Sequence, residues 1–312
     1  MRTFSEAAWR RAAQSHEERA DALTADHRAR ARRGEKHPVS DFLFTYYGYK
    51  PAVLRRWHPG AGVALAGAAG EPRAAWRWYR SDPETGSVWA DAEAFRAEKP
   101  QLLRLVEIML RRTAERPGQF ACFGLHEWAM VYREGEHRHP HPLRLGQDGT
   151  DRVVETHELA CTHIDAFRFF TPEAVPRNRH APTRESQPDL EQPGCLHAGM
   201  DVYKWAVKLG PLVPGDLLLD AFELARDIRQ LDMEAAPYDL SGFGVRAVAI
   251  ETPEGKAEYV RRQRAFAERG NALRRAILAA WLTPNDIVPV SPGLPDHSAQ
   301  ESSRDIGQKI RS

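Results

Sequence analysis

Apolar residues return every three to four positions in five long stretches of this chain, and that spacing commits most of it to amphipathic helices. Thr3 and Glu6 have capping-box spacing, and the Ala-, Arg- and Glu-rich run behind them predicts one long helix to about Arg33, ended at Gly34. Leu102, Leu103, Val106, Met109 and Leu110 line a second helix from Lys99 to Arg116, stopped by Pro117 and Gly118. Two more run from His197 to Leu209 and from Asp216 to about Ala235. In the last, Thr252 supplies an N-cap and Pro253 a first-turn proline, with the helix reaching roughly Leu282.

Shorter elements fill the intervals. Pro38 with Ser40 or Asp41 opens a helix through DFLFTYYGYK, and KPAVLRRWHPG predicts another; the Ala- and Gly-rich stretch from Gly60 to Pro72 reads as loop. WRWYR and SVWAD, separated by SDPETG, form the best hairpin candidate. FACFGLHEWAMVYR is read as helix, HRHPHPLRLG as loop and GQDG as turn, and strands are expected at CTHIDAFRFF and VRAVAIET. The polar connection from Thr171 to Gly194 is long enough to be a functional lid or a boundary. The expected fold is therefore mostly α with a minor β component (α+β): a single large helical domain over residues 1–290, then a polar, disordered tail over 291–312.

Composition narrows the function classes. Apolar residues make up 42% of the 312 positions, enough for a full core. Lys plus Arg (44) nearly cancels Asp plus Glu (43), so any basic surface for nucleic acid must be local. GVALAGAAG, the longest near-apolar run, is too short to cross a bilayer, and no export signal is evident at the N-terminus. Three cysteines, an odd number, argue for reduced thiols and a cytoplasmic setting.

Candidate chemistry concentrates between His126 and Asp201. Each cysteine has a histidine shortly after it: Cys122 with His126, Cys161 with His163, Cys195 with His197. Glu127, Asp165 and Asp201 follow. Thiolate, imidazole and carboxylate are ligands for zinc or non-haem iron if these segments converge, although the spacing is not that of a zinc finger. The competing reading makes the cysteines small core residues and the histidines local hydrogen-bonders. On the helix after Gly194, His197, Asp201, Lys204 and Lys208 share one stripe and Val202, Trp205, Ala206 and Leu209 another. Asp201 between His197 and Lys204 could be held ionised to activate water, or it could sit on a solvated face. In CTHIDAFRFF, strand alternation puts His163 and Asp165 beside Phe167 and Phe169, an awkward place for an unpaired carboxylate. HRHPHP is a histidine tract able to capture metal.

From Arg28 to Arg56 eight basic residues face two acidic ones. Aromatic residues are interleaved, among them Tyr46, Tyr47, Tyr49 and Trp57 next to Arg55 and Arg56. Arginine beside aromatics suits phosphates and stacked bases, while an aromatic core helix joined to a basic solvated one gives the same pattern.

HPVSDFLFTYYGYKP, LRRWHPGAGVALAG, FGLHEWAMVYR, HPHPLRLG, CTHIDAFRFFTP, EQPGCLHAGMDVYKWAVKLGPLVP, DMEAAPYDLSGFG and IETPEGKAEYV resemble segments of a bacterial, largely actinobacterial, family labelled 3-methyladenine DNA glycosylase. The resemblance spans about residues 5 to 280. It implies hydrolysis of the N-glycosidic bond of alkylated purines, with DNA as partner, and assigns no catalytic residues. The chain has neither a helix-hairpin-helix turn followed by a catalytic aspartate nor a helical-repeat pattern. Candidates for the chemistry such an activity needs are Asp201 or Asp165 as carboxylate, with His163, His197, Lys204, His126 and Glu127 around them, and Tyr46, Tyr47, Tyr49, Arg55, Arg56 and Trp57 for the substrate. Two other readings stand beside it: an enzyme using a divalent metal on His163, Asp165 and His197, and a binding protein without catalysis. No membrane contact is expected.

Overall fold

The structure, a computed structural model, describes residues 1–135 and 141–282. Most of the HRHPHP tract and the expected tail from Ser291 lie outside the described residues. Residues Met1–Trp281 form one compact unit. Its helices in chain order are α1 (Glu6–Arg33), α2 (Phe42–Tyr46), α3 (Pro51–Arg55), α4 (Ala92–Glu98), α5 (Pro100–Glu115), α6 (Leu125–Ala129), α7 (Gly146–Thr156), α8 (Ile164–Phe167), α9 (Gln187–Leu190), α10 (Leu196–Leu209), α11 (Gly215–Glu234) and α12 (Pro253–Trp281). Strands β1 (Arg2–Phe4), β2 (Val63–Leu65), β3 (Tyr79–Ser81) and β4 (Val88–Ala90) make one small sheet of order β1-β2-β4-β3. The expected mostly α fold with minor β is what the chain adopts. Among the described residues no helix is long and apolar enough to cross a membrane.

Helix α10 is the centre. Eleven of its 14 residues are buried, so its polar positions lie inside the protein and not on a solvated stripe. It packs against α11, and both pack against α12, which also meets α5. Gly199 of α10 lies directly against Ile228 of α11: a Cβ there would lie 2.6 Å from Ile228 Cδ1, and the isoleucine side chain would have to turn aside. Beneath the sheet, Trp9 and Ala13 of α1 join Trp57, Val63, Leu65 and Val88 in a separate apolar cluster.

Several local expectations change. Thr3 lies in β1, and Ser5 is the N-cap residue of α1. Part of the Gly60–Pro72 loop pairs as β2 in parallel with β1, because sheet pairing supplies what local propensity lacks. GQDG opens α7 instead of turning, and VRAVAIET has no strand partner among the described residues and stays irregular. FACFGLHEWAMVYR contributes only the short α6. CTHIDAFRFF forms no strand: His163 is extended and Ile164–Phe167 coils into one turn, α8. The hairpin is found as β3 and β4. Thr252 caps α12 through Oγ1, which accepts from Gly255 N at 3.1 Å.

Asp41 ties the end of α1 to α2. Its carboxylate accepts from Arg30 at 2.6 Å and from the His37 backbone N–H at 2.9 Å, and meets His27 Nδ1 at 2.8 Å. Burial works against its charge, but Arg30 and His27 override this and pull the carboxyl down to about 2. A depressed carboxyl stabilises the fold above the unfolded value near pH 4 and loses that contribution as pH falls through about 2. Asp41→Asn is therefore expected to lower unfolding free energy at pH 7 by about 2 kcal/mol. In urea titrations the gap from the parent should shrink steadily below about pH 4, and a gap independent of pH would remove Asp41 from this role.

Candidate functional site

Two buried polar networks meet along α10. The first is built on Asp201, which is 2% exposed. The Tyr47 hydroxyl donates to Asp201 Oδ1 at 2.9 Å, and Lys204, one turn along the helix, donates to Oδ2. His163 Nε2 lies 3.4 Å from Asp201 Oδ2 and 3.0 Å from Glu191 Oε1. These are ion-pair distances without good hydrogen-bond direction, and both His163 ring nitrogens lack a well-aligned partner. Burial alone would favour the neutral imidazole. The Glu191 and Asp201 carboxylates reverse that and raise His163 to about 9. Burial likewise opposes the Asp201 charge, yet Lys204 and His163 hold the carboxyl far below its usual range. Asp165 sits at the rim, bound by both terminal guanidinium nitrogens of Arg184 and 3.5 Å from Arg168.

This network reaches the surface through aromatic residues. Tyr47 meets Tyr46 edge-on at 4.9 Å between ring centres and lies parallel to Tyr49 at 6.3 Å. Tyr46 stacks on Phe42, whose ring carries the Arg229 guanidinium 3.7 Å from its centre. Arg168 and Arg184 are half exposed beside these rings.

The second network lies deeper. His126 Nε2 is 2.9 Å from Asp232 Oδ1, and Arg229 donates to Asp232 Oδ2 at 2.7 Å while standing 3.5 Å from Glu127. Burial disfavours a charged His126, and Asp232 overcomes it and raises the imidazole well above its ordinary range. His197 has the opposite fate. Burial, and then the positive charge of His126, push it well below the normal range, so it is neutral. Its ring bridges the networks, 4.6 Å from that of His126 and 5.4 Å from that of His163.

The expected catalytic residues thus converge, but in two groups. Donor atoms of His163, Asp165 and Asp201 all lie within 4.8 Å of one another, as do those of His126, Glu127, His197 and Asp232. Either set could hold a metal ion. The triad of His163, Asp165 and His197 expected from sequence is replaced, because α10 turns His197 toward His126 and Asp201 toward His163. Each set also contains its own cations, Lys204 with Arg184 in one and Arg229 in the other. A divalent ion would have to compete with them for the same oxygens.

The substrate-binding expectations divide more sharply. Tyr46, Tyr47 and Tyr49 belong to the Asp201 site. Arg55 is paired with Glu17 and Asp21 of α1, and Trp57 is core, 5% exposed. Arg56 lines a separate cavity of about 180 Å³ with His58, Trp76 and Trp78 at the far end of α10. Glu191, Asp232, Arg229 and Arg184 were not anticipated. Glu191 and Arg184 lie in the polar stretch from Thr171 to Gly194, and Asp232 and Arg229 are spaced three apart on α11, a signal that residue spacing on one helix carries only weakly.

Lys204→Met removes the main cation from Asp201 and is expected to cost about 3 kcal/mol of stability. Asp201→Asn should recover most of that loss in the double variant, so a urea double-mutant cycle is expected to give a coupling above about 1 kcal/mol. Additive single effects would mean that the pair is not coupled as its geometry requires. No family model, curated protein or solved structure is found to match the chain.

Proposed function

We propose that the protein hydrolyses the N-glycosidic bond of an alkylated purine in DNA, with Asp201 as the essential carboxylate. The observation that carries this reading is the Asp201 environment: a buried carboxylate kept ionised by Lys204 and His163, reached through the Tyr47 hydroxyl, under a cluster of tyrosines and arginines. The family resemblance of the same segments adds the substrate class.

An alkylated purine is cationic and leaves readily with the electron pair of its bond to C1′. The sugar left behind has oxocarbenium character, which a fixed carboxylate stabilises. Water then attacks C1′ and gives up a proton, for which Asp201 is the acceptor at hand. The electron-rich faces of Tyr46 and Tyr49 suit a flipped, positively charged base, and Arg168 and Arg184 suit the flanking phosphates. Asp165 is the weaker choice for the carboxylate because a cationic Arg184 fork holds both of its oxygens, whereas Asp201 Oδ1 is held by the neutral Tyr47 hydroxyl. A metal-dependent hydrolase is less well supported, since Lys204 and Arg229 already compensate the carboxylates such an ion would use.

Release of 3-methyladenine from alkylated DNA is the direct assay. Asp201→Asn should reduce it by a factor on the order of 100 or more, and Asp165→Asn by much less. Equal release by parent and Asp201→Asn would exclude this role, and no release by a folded parent protein would exclude the activity.

A further inference from the structure

Arg56 and the cavity it lines take no part in the site around Asp201. Trp76, Trp78, Val207 and Pro211 give this cavity apolar walls, and Arg56 and His58 add polar groups. Its volume is about 180 Å³. An apolar hollow of about 150 Å³ admits benzene, so this one has room for a single six-membered ring and a small substituent.

Trp78 is held against that space in a conformation that disfavours it. Its φ is +60°, a left-handed value that is costly for a bulky side chain. The Trp78 carbonyl accepts from the Asp91 N–H at 2.8 Å, the indole N–H donates to Glu98 at 2.9 Å, and the ring meets Phe95 edge-on at 4.7 Å between centres. Backbone strain fixed from several sides in this way is found at ligand clamps.

The charge around the cavity is one-sided. Arg56 rests 5.0 Å from the centre of the Trp76 ring and has no carboxylate partner among the described residues. Arg73 lacks one too, although it is only 8% exposed. Its guanidinium is surrounded by Trp9, Trp57 and Trp76, at 5.3, 5.1 and 5.3 Å from the ring centres, and donates weakly to Trp57 O at 3.5 Å. Buried cations are ordinarily paired. Burial, and then the charges of Arg56 and Arg73, push His58 down to about 3, so its ring is neutral. The Tyr79 hydroxyl, 2.8 Å from His58 Nδ1, can donate to it, which puts the ring proton on Nε2. Among the described residues nothing accepts that proton. Arg77, by contrast, is paired with Glu98, and the end of α10 contributes only the partial negative charge of its free carbonyls.

We propose that this cavity binds a small aromatic carboxylate, with its ring enclosed by Trp76 and Trp78 and its carboxylate bonded to Arg56 and His58 Nε2. A carboxylate fits the space left beside one ring, and its two oxygens match the paired N–H groups of a guanidinium. It also supplies the negative charge that Arg56 and the buried Arg73 lack. Asp201 lies about two turns back along α10, so the two sites are separate and this proposal does not rest on the glycosylase reading.

The test titrates benzoate into the full-length protein. Calorimetry should show one site per chain with a Kd of about 1 mM or tighter. In NMR spectra the indole N–H signals of Trp76 and Trp78 should shift while that of Trp128 stays. Arg56→Gln should weaken binding by about 10-fold or more. Val207→Phe, which fills the hollow from a partly exposed position, should abolish it; the indole shifts of the parent protein stand whether or not this variant folds. Benzyl alcohol, which keeps the ring and loses the charge, should bind about 10-fold more weakly than benzoate. Thymidine 5′-phosphate, in which a sugar separates ring and anion, tests a nucleotide as the occupant and should bind more weakly still. The proposal is overturned if the parent protein shows no saturable benzoate binding, or if the shifts fall on tryptophans away from the cavity. It is equally overturned if Arg56→Gln leaves the affinity unchanged, or if benzyl alcohol or thymidine 5′-phosphate binds as tightly as benzoate.

Discussion

Charge buried in a helical core must be compensated where it sits, and α10 is where this protein meets that requirement. Asp201 could not stay ionised in so dry a place without Lys204 and His163, and Asp232 depends in the same way on His126 and Arg229. These pairings explain the surrounding architecture. Glu191 is brought in by the long polar connection, Tyr47 by α2 and the residue after it, and Arg229 and Asp232 by α11. Removing any one partner leaves another group charged and stranded, so the two networks behave as units.

The long helices were legible in the sequence because their periodicity and stop signals are local properties. The α10 stripe was legible too, yet its meaning was not. A polar face reads as solvated unless one knows that Tyr47, Glu191 and His163 cover it, and those residues come from other parts of the chain. CTHIDAFRFF failed for a related reason. Its alternation suggested a strand, but among the described residues no strand pairs with it, and the segment instead bonds to Asn178 and turns once. β2 is the converse case, a Gly- and Ala-rich stretch made into a strand by β1.

The histidine–carboxylate pairings illustrate the limit most clearly. His126, His163 and His197 were each marked as candidates from residue type alone, and all three do fall within one chain of neighbouring rings. Their charge states could not be read in advance, because these depend on which carboxylate each faces. Asp232 charges His126, Glu191 and Asp201 charge His163, and His197 is left neutral between them. The same residue type thus takes opposite states within one helix-sized distance.

The close fit at Gly199 has an evolutionary corollary. A larger residue there would first displace the Ile228 side chain, in the contact between the helix that carries Asp201 and the helix that carries Asp232. A substitution at this one position would therefore be felt by both acid centres through the repacking of a single isoleucine.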